Sequence, residues 1–156
     1  MPRSPRCELP PDGIYHVTAR GVDRGLIVRD GVDRESLHRL VLLAERRFSW
    51  RYDVYCLMSS HFHLVVRTPV PALSKGMHWL NGAYAQRFNR RHARRGHLFE
   101  NRFSARAMRD EEHWERTCTY VLENPVAAGL CEFASDWPWS GGRFLRRYRP
   151  AVRDVA

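Results

Sequence analysis

Residues 54–66 are apolar almost without a break, and the few interruptions decide what they can build. Ser59-Ser60 divides the stretch into two runs, each short for a helix and long enough for a strand. The spacing predicts strands over 50–58 and 61–68 joined as a tight hairpin. The second run opens with His61-Phe62-His63. Side chains alternate between the faces of a strand, so His61 and His63 project from one face while Phe62 and Leu64 point to the other. Two imidazoles held side by side on a strand suit a divalent metal. The plainer alternative is a pair of exposed histidines on a sheet surface.

The flanking segments switch between the strand period and the helix period. Residues 13–20 (GIYHVTAR) set Ile14, His16 and Thr18 on one face and Tyr15 and Val17 on the other. Residues 30–48 carry Leu37, Leu40, Val41 and Ala44 at helical spacing, and 73–91 carry Met77, Leu80, Tyr84 and Phe88. Pro69 and Pro71 end the strand between them, and Gly96 stops the second helix. Residues 97–106 predict a fourth strand. A third helix is expected over 110–123, capped by Asp110 with Glu111 and Glu112 behind it. Pro125 ends or kinks that helix, and Gly129 closes a further turn. The order β-α-β-β-α-β-α predicts an α+β fold of ferredoxin-like or RRM-like type. It is a split β-α-β sandwich, an antiparallel sheet with helices on one face, plus a C-terminal helix that carries Tyr120. The aromatic signatures of RNA-binding RRM domains are not evident. One domain is expected over 1–156, with a core of about 13–131 and a basic tail of about 137–156 that packs back.

Composition bears on the partner. A net charge of +9 and a pI of about 10.1 favour an anionic partner, nucleic acid first. Every basic residue but Lys75 is arginine, whose planar fork matches phosphate. Arg87, Arg90, Arg91, Arg94 and Arg95 cluster at the end of the second helix. With Arg20, Arg102 and Arg106 they are the candidate phosphate contacts. Cys7, Cys56, Cys118 and Cys131 include no C-x-x-C pair, which argues against a zinc ribbon and for reduced thiols. No run reaches the ~20 apolar residues of a membrane span, and residues 1–11 lack the apolar core of a signal peptide. Cytoplasmic residence, with association to the nucleoid, is the expectation.

Tyr120 and Asn124 stand four apart on the third helix, hence one turn apart on one face. The ordinary reading is a packed tyrosine and a helix cap. An amide oxygen is also a fit ligand for a hard divalent cation, with the phenol beside it.

Six stretches then fall into register: YHVTARG (15–21), YCLMSSHFHLVVRTP (55–69), GMHWLNGAYAQRFNRRH (76–92), GHLFENRF (96–103), YVLENPVAAGL (120–130) and DWPWSG (136–141). Together they resemble the REP-associated tyrosine transposases, which belong to the single-tyrosine HUH transposases. The resemblance implies that His61 and His63 are the HUH pair, Tyr120 the nucleophile and Asn124 the third ligand of a Mg²⁺ or Mn²⁺ ion. It further implies a single-stranded DNA partner with imperfect palindromic hairpins. That DNA would be cut and rejoined through a 5′-phosphotyrosine intermediate that frees a 3′-OH. The chain departs from the family where Ser59-Ser60 replaces a common Asn before the HUH pair. It departs again at Ser104 or Ala105, in place of a basic residue, and at Ala127, in place of an arginine. The resemblance also accommodates a catalytically inactive hairpin-binding protein of the same fold, or an HUH endonuclease of replication-initiator or relaxase type. Both a monomer and a homodimer are compatible with it.

Overall fold

The computed structural model describes residues 12–149. Strand alternation in β1 (Asp12–Arg20), β2 (Arg51–Leu57) and β3 (His61–Pro69) builds the centre of an antiparallel sheet. Ser59-Ser60 turns β2 into β3, and the Met58 N–H donates to the His61 carbonyl at 2.9 Å to close the hairpin. With β4 (Ser104–Ala107) and β5 (Ser140–Gly141) the strand order is β4-β1-β3-β2-β5. The first four strands have the split β-α-β order. The fifth, which the sequence periodicity did not announce, pairs with the outer edge of β2.

Two helices, α1 (Gly31–Arg47) and α2 (Val70–Arg91), cover one face. Tyr15, Val17, Phe62, Leu64 and Val66 from the strands meet Leu37, Leu40 and Val41 of α1 and Met77, Leu80, Tyr84 and Phe88 of α2 in a solvent-free core. α2 begins three residues before the expected Leu73. Pro69 is its N-cap and Pro71 sits in its first turn, where a missing N–H costs nothing. Gly76 lets the helix lie against Trp50: a Cβ there would stand 2.1 Å from the indole. Asp30 caps α1 through the Asp33 N–H at 3.0 Å, and Arg91 at the end of α2 forks onto Asp30 and Asp33 at 2.6 and 2.7 Å.

The opposite face is covered by α3 (Glu111–Ala127), capped by Asp110 through the His113 N–H at 2.7 Å. Trp114, Cys118, Val121 and Leu122 pack on Val54, Cys56 and Val65 in a second, smaller core. A bulge between Tyr52 and Val54 turns Asp53 into this layer. Its carboxylate accepts from Trp114 Nε1 at 2.7 Å and Arg67 Nε at 2.9 Å, pinning α3 to the sheet. The chain then returns: Trp137 Nε1 donates to the Leu57 carbonyl at 3.1 Å, β5 joins the sheet, and Phe144 meets the Trp114 ring edge-on at 5.3 Å.

Two expectations need correction. Of the strand expected over 97–106, only the end forms one. Leu98 and Phe99 are neighbours yet both bury into the α1/α2 core, which an alternating strand cannot arrange; the segment loops instead, tied by a single bridge from Phe99 to Gly21. The third helix runs through Pro125, which is buried, to Ala127. The Ala128, Gly129 and Leu130 N–H groups still reach the Asn124, Val126 and Pro125 carbonyls, so the turn closes behind the proline. Cys56 and Cys118 are buried thiols and Cys131 is half-buried. Cys7, residues 1–11 and the end of the expected tail, 150–156, lie outside the described residues. No described helix is long and apolar enough to cross a membrane.

Candidate active site

The register of the sheet assembles the site. On the face turned to α3, Thr18 lies directly opposite His63 and Arg20 opposite His61 in the β1–β3 pairing, while Arg106 lies opposite His16 in the β1–β4 pairing. Period-two alternation thus gathers His16, Thr18, Arg20, His61, His63 and Arg106 on one surface. From above, α3 brings Tyr120 and Asn124, one turn apart, onto the same surface.

His63 is the hub, 4% exposed. Its Nδ1 meets His16 Nε2 at 3.0 Å and Thr18 Oγ1 at 3.1 Å, and its Nε2 accepts from Asn124 Nδ2 at 3.3 Å. The His61 and His63 rings stand 4.9 Å apart, nearly perpendicular, and Tyr120 meets His63 edge-on at 5.7 Å. Tyr120 itself is 55% exposed, open to a large substrate. Ser60, where the family commonly has Asn, places its hydroxyl 3.1 Å from His61 Nδ1.

Burial keeps these imidazoles neutral. His63 is held well below the usual imidazole range by burial first, then by His16, His61 and Arg20. His61 is lowered by burial and Arg20, against a hydrogen bond that its ring donates to the Asn124 side chain. Burial, with Arg106 and His113, brings His16 down to about 4. A neutral imidazole offers a lone pair to a cation. Among the described residues no three His, Cys, Asp or Glu side chains form a metal-binding group. A cation would therefore take two imidazoles, His61 and His63, and complete its protein ligands with the Asn124 amide oxygen. The residues present fit a divalent cation: two neutral imidazoles, one amide, and a hydrogen-bonded Nδ1 behind the inner histidine.

Of the expected phosphate contacts, Arg20 and Arg106 flank the histidines. Arg87, Arg90, Arg91, Arg94 and Arg95 sit at the end of α2, on the other face of the sheet. Arg91 is committed to Asp30 and Asp33, and Arg94 bonds the Asn89 side chain and the His97 carbonyl. Arg102 is exposed on the loop before β4. Sequence reasoning missed His16 and Thr18 as site residues, although it had placed them on one face. It also missed a cavity of about 620 Å³ beside Tyr120 that Arg116, Arg147 and Arg149 help to line.

Comparison with known proteins bears on the family and the fold. The family described as IS200-like transposase matches residues 11–124. No curated protein matches the chain by sequence. Among solved structures, a REP-associated tyrosine transposase bound to a REP hairpin is similar at 16% identity and a TM-score of 0.66, covering 100% of this chain and 96% of that one. A protein of Deinococcus radiodurans R1 described as a candidate transposase is similar at 17% identity and a TM-score of 0.50, covering 80% of this chain and 97% of that one. At those identities the structures show a shared fold, and the sequence match supplies the rest: this chain belongs to the IS200-like transposase family.

Proposed function

We propose that the protein cuts and rejoins single-stranded DNA beside imperfect palindromic hairpins, with Tyr120 as nucleophile. One observation carries the reading: an exposed phenol stands edge-on to His63, and the residue one turn later bonds that same histidine. The similar structure described as bound to a REP hairpin supports the substrate class, as does the net charge of +9.

In this reading the Tyr120 oxygen attacks the scissile phosphorus and the bond from phosphorus to the 3′-oxygen breaks. The proton lost by the phenol ends on the departing 3′-oxygen, and the 5′-phosphate remains esterified to Tyr120. The ester conserves the broken bond, so attack by a 3′-OH rejoins a strand without ATP. His61, His63 and Asn124 would hold a Mg²⁺ or Mn²⁺ ion, which when bound draws negative charge off the phosphate oxygens. Arg20 and Arg106 on the sheet, and Arg116, Arg147 and Arg149 beside Tyr120, hold neighbouring phosphates. Exposed arginines at the end of α2 add sequence-independent attraction for the hairpin.

The test uses single-stranded oligonucleotides carrying the palindromic repeats that flank the gene, with Mn²⁺ or with EDTA. The wild type should release a fragment whose 3′-OH a polymerase can extend, in Mn²⁺ alone. Tyr120→Phe and His61→Ala should still shift the hairpin in a gel and release nothing. Hairpin binding without cleavage by the wild type would reduce the protein to a DNA-hairpin binder.

A further inference from the structure

The cleavage chemistry above makes no use of His16, yet His16 is a direct partner of the inner histidine. Its Nε2 lies 3.0 Å from His63 Nδ1, the two rings stack at 5.2 Å with 27° between planes, and the His16 ring stands edge-on to Tyr120 at 6.4 Å. Two ring nitrogens at hydrogen-bond distance share one proton, one giving and the other accepting. Asn124 decides which. With the Asn124 amide oriented so that Nδ2 lies 3.3 Å from His63 Nε2, its nitrogen only donates and Nε2 accepts, carrying no hydrogen. The His63 proton therefore sits on Nδ1, directed at His16 Nε2 and Thr18 Oγ1.

We infer that His16 is a positioning residue of the cleavage site: it accepts the Nδ1–H of His63 and fixes the tautomer whose Nε2 lone pair faces Asn124. Thr18, directly across the ladder from His63, is the auxiliary acceptor. The same ring stacks on His63 and meets Tyr120 edge-on, so one side chain orients the inner ligand and backs the nucleophile. The consequence for metal binding and cleavage rests on the function proposed above. The tautomer itself does not, and it can be read without metal or DNA.

Ring-nitrogen correlation spectra of ¹⁵N-histidine protein in EDTA report the tautomer directly. The wild type should show His63 protonated on Nδ1 with a bare Nε2. His16→Phe keeps a flat ring but no acceptor, and should populate the Nε2–H form; adding Thr18→Val should make that form dominant. Mn²⁺ titrations followed by electron paramagnetic resonance should show the Kd rising about 10-fold in His16→Phe. Hairpin binding in EDTA should stay unchanged. His16→Gln, whose amide oxygen accepts, should recover most of the affinity, and it carries the test if His16→Phe fails to fold. A wild-type His63 protonated on Nε2 overturns the inference, as does His16→Phe with unchanged tautomer and Mn²⁺ affinity. An Nδ1–H tautomer in a wild type that binds no Mn²⁺ and cuts no DNA would uphold the His16 contact and overturn the cleavage reading instead.

Discussion

The two faces of the sheet are made by the same strands and are filled in opposite ways. Along β3, Phe62, Leu64 and Val66 enter an unbroken apolar core under α1 and α2. On the reverse side, Val65 continues the apolar packing under α3, but His63 and His61 replace it with imidazole nitrogens toward the hairpin end. The α3 layer is thus apolar beside Trp114 and Val121 and polar beside Tyr120 and Asn124. A strand with one face fully committed to the core can give up stability on the other. A site of buried, hydrogen-bonded imidazoles needs a rigid backing of that kind.

The sharpest way to break this contrast is to truncate neighbouring residues on opposite faces. Tyr120→Phe and His61→Ala should each lower cleavage by about three orders of magnitude or more, and change the unfolding free energy by less than about 1 kcal/mol. Phe62→Ala, next to His61 in the chain, should cost about 3–5 kcal/mol in urea denaturation, because Phe62 is fully buried. If His61→Ala destabilises as much as Phe62→Ala, the division of labour between faces is wrong.

A smaller effect tests how α3 is held. Asp53→Ala leaves the buried Trp114 indole N–H without its acceptor and Arg67 without its partner. The cost should be about 2 kcal/mol, with Arg67 half-exposed and so weakly coupled. Because α3 carries Tyr120 and Asn124, cleavage should fall with it while hairpin binding persists.

The pH dependence tests the polar face as a whole. His16, His61 and His63 are all lowered in the folded protein, His16 to about 4, chiefly by burial. An unfolded imidazole titrates near 6.5. Between those values the unfolded chain binds protons that the folded one does not, so stability is full above about pH 6.5 and declines as pH falls toward 4. Thermal unfolding across that range should show the decline, and His16→Phe should reduce it.

Much of this was legible in the chain. Helical spacing located Leu37, Leu40, Met77 and Tyr84 in one core, alternation separated His61 and His63 from Phe62, and four-residue spacing joined Tyr120 to Asn124. What escaped depended on partners distant in sequence. His16 becomes a site residue only once the β1–β3 register sets Thr18 against His63. Arg91 reads as a phosphate contact until α2 meets the Asp30 and Asp33 end of α1. Leu98-Phe99 reads as strand until both side chains are seen to enter one core. The Asp53 bulge sends Tyr52 and Val54, two apart, into opposite cores, and its effect shows only once β2 is paired with β3.

The central claim is that Tyr120 becomes covalently joined to DNA. The most direct measurement traps the protein on a hairpin oligonucleotide in Mn²⁺, digests the DNA and the protein, and maps the modified peptide by mass spectrometry. The account predicts a nucleotide 5′-phosphate on Tyr120, absent in EDTA. A nucleotide on any other residue, or cleavage that leaves no modified peptide, would contradict it.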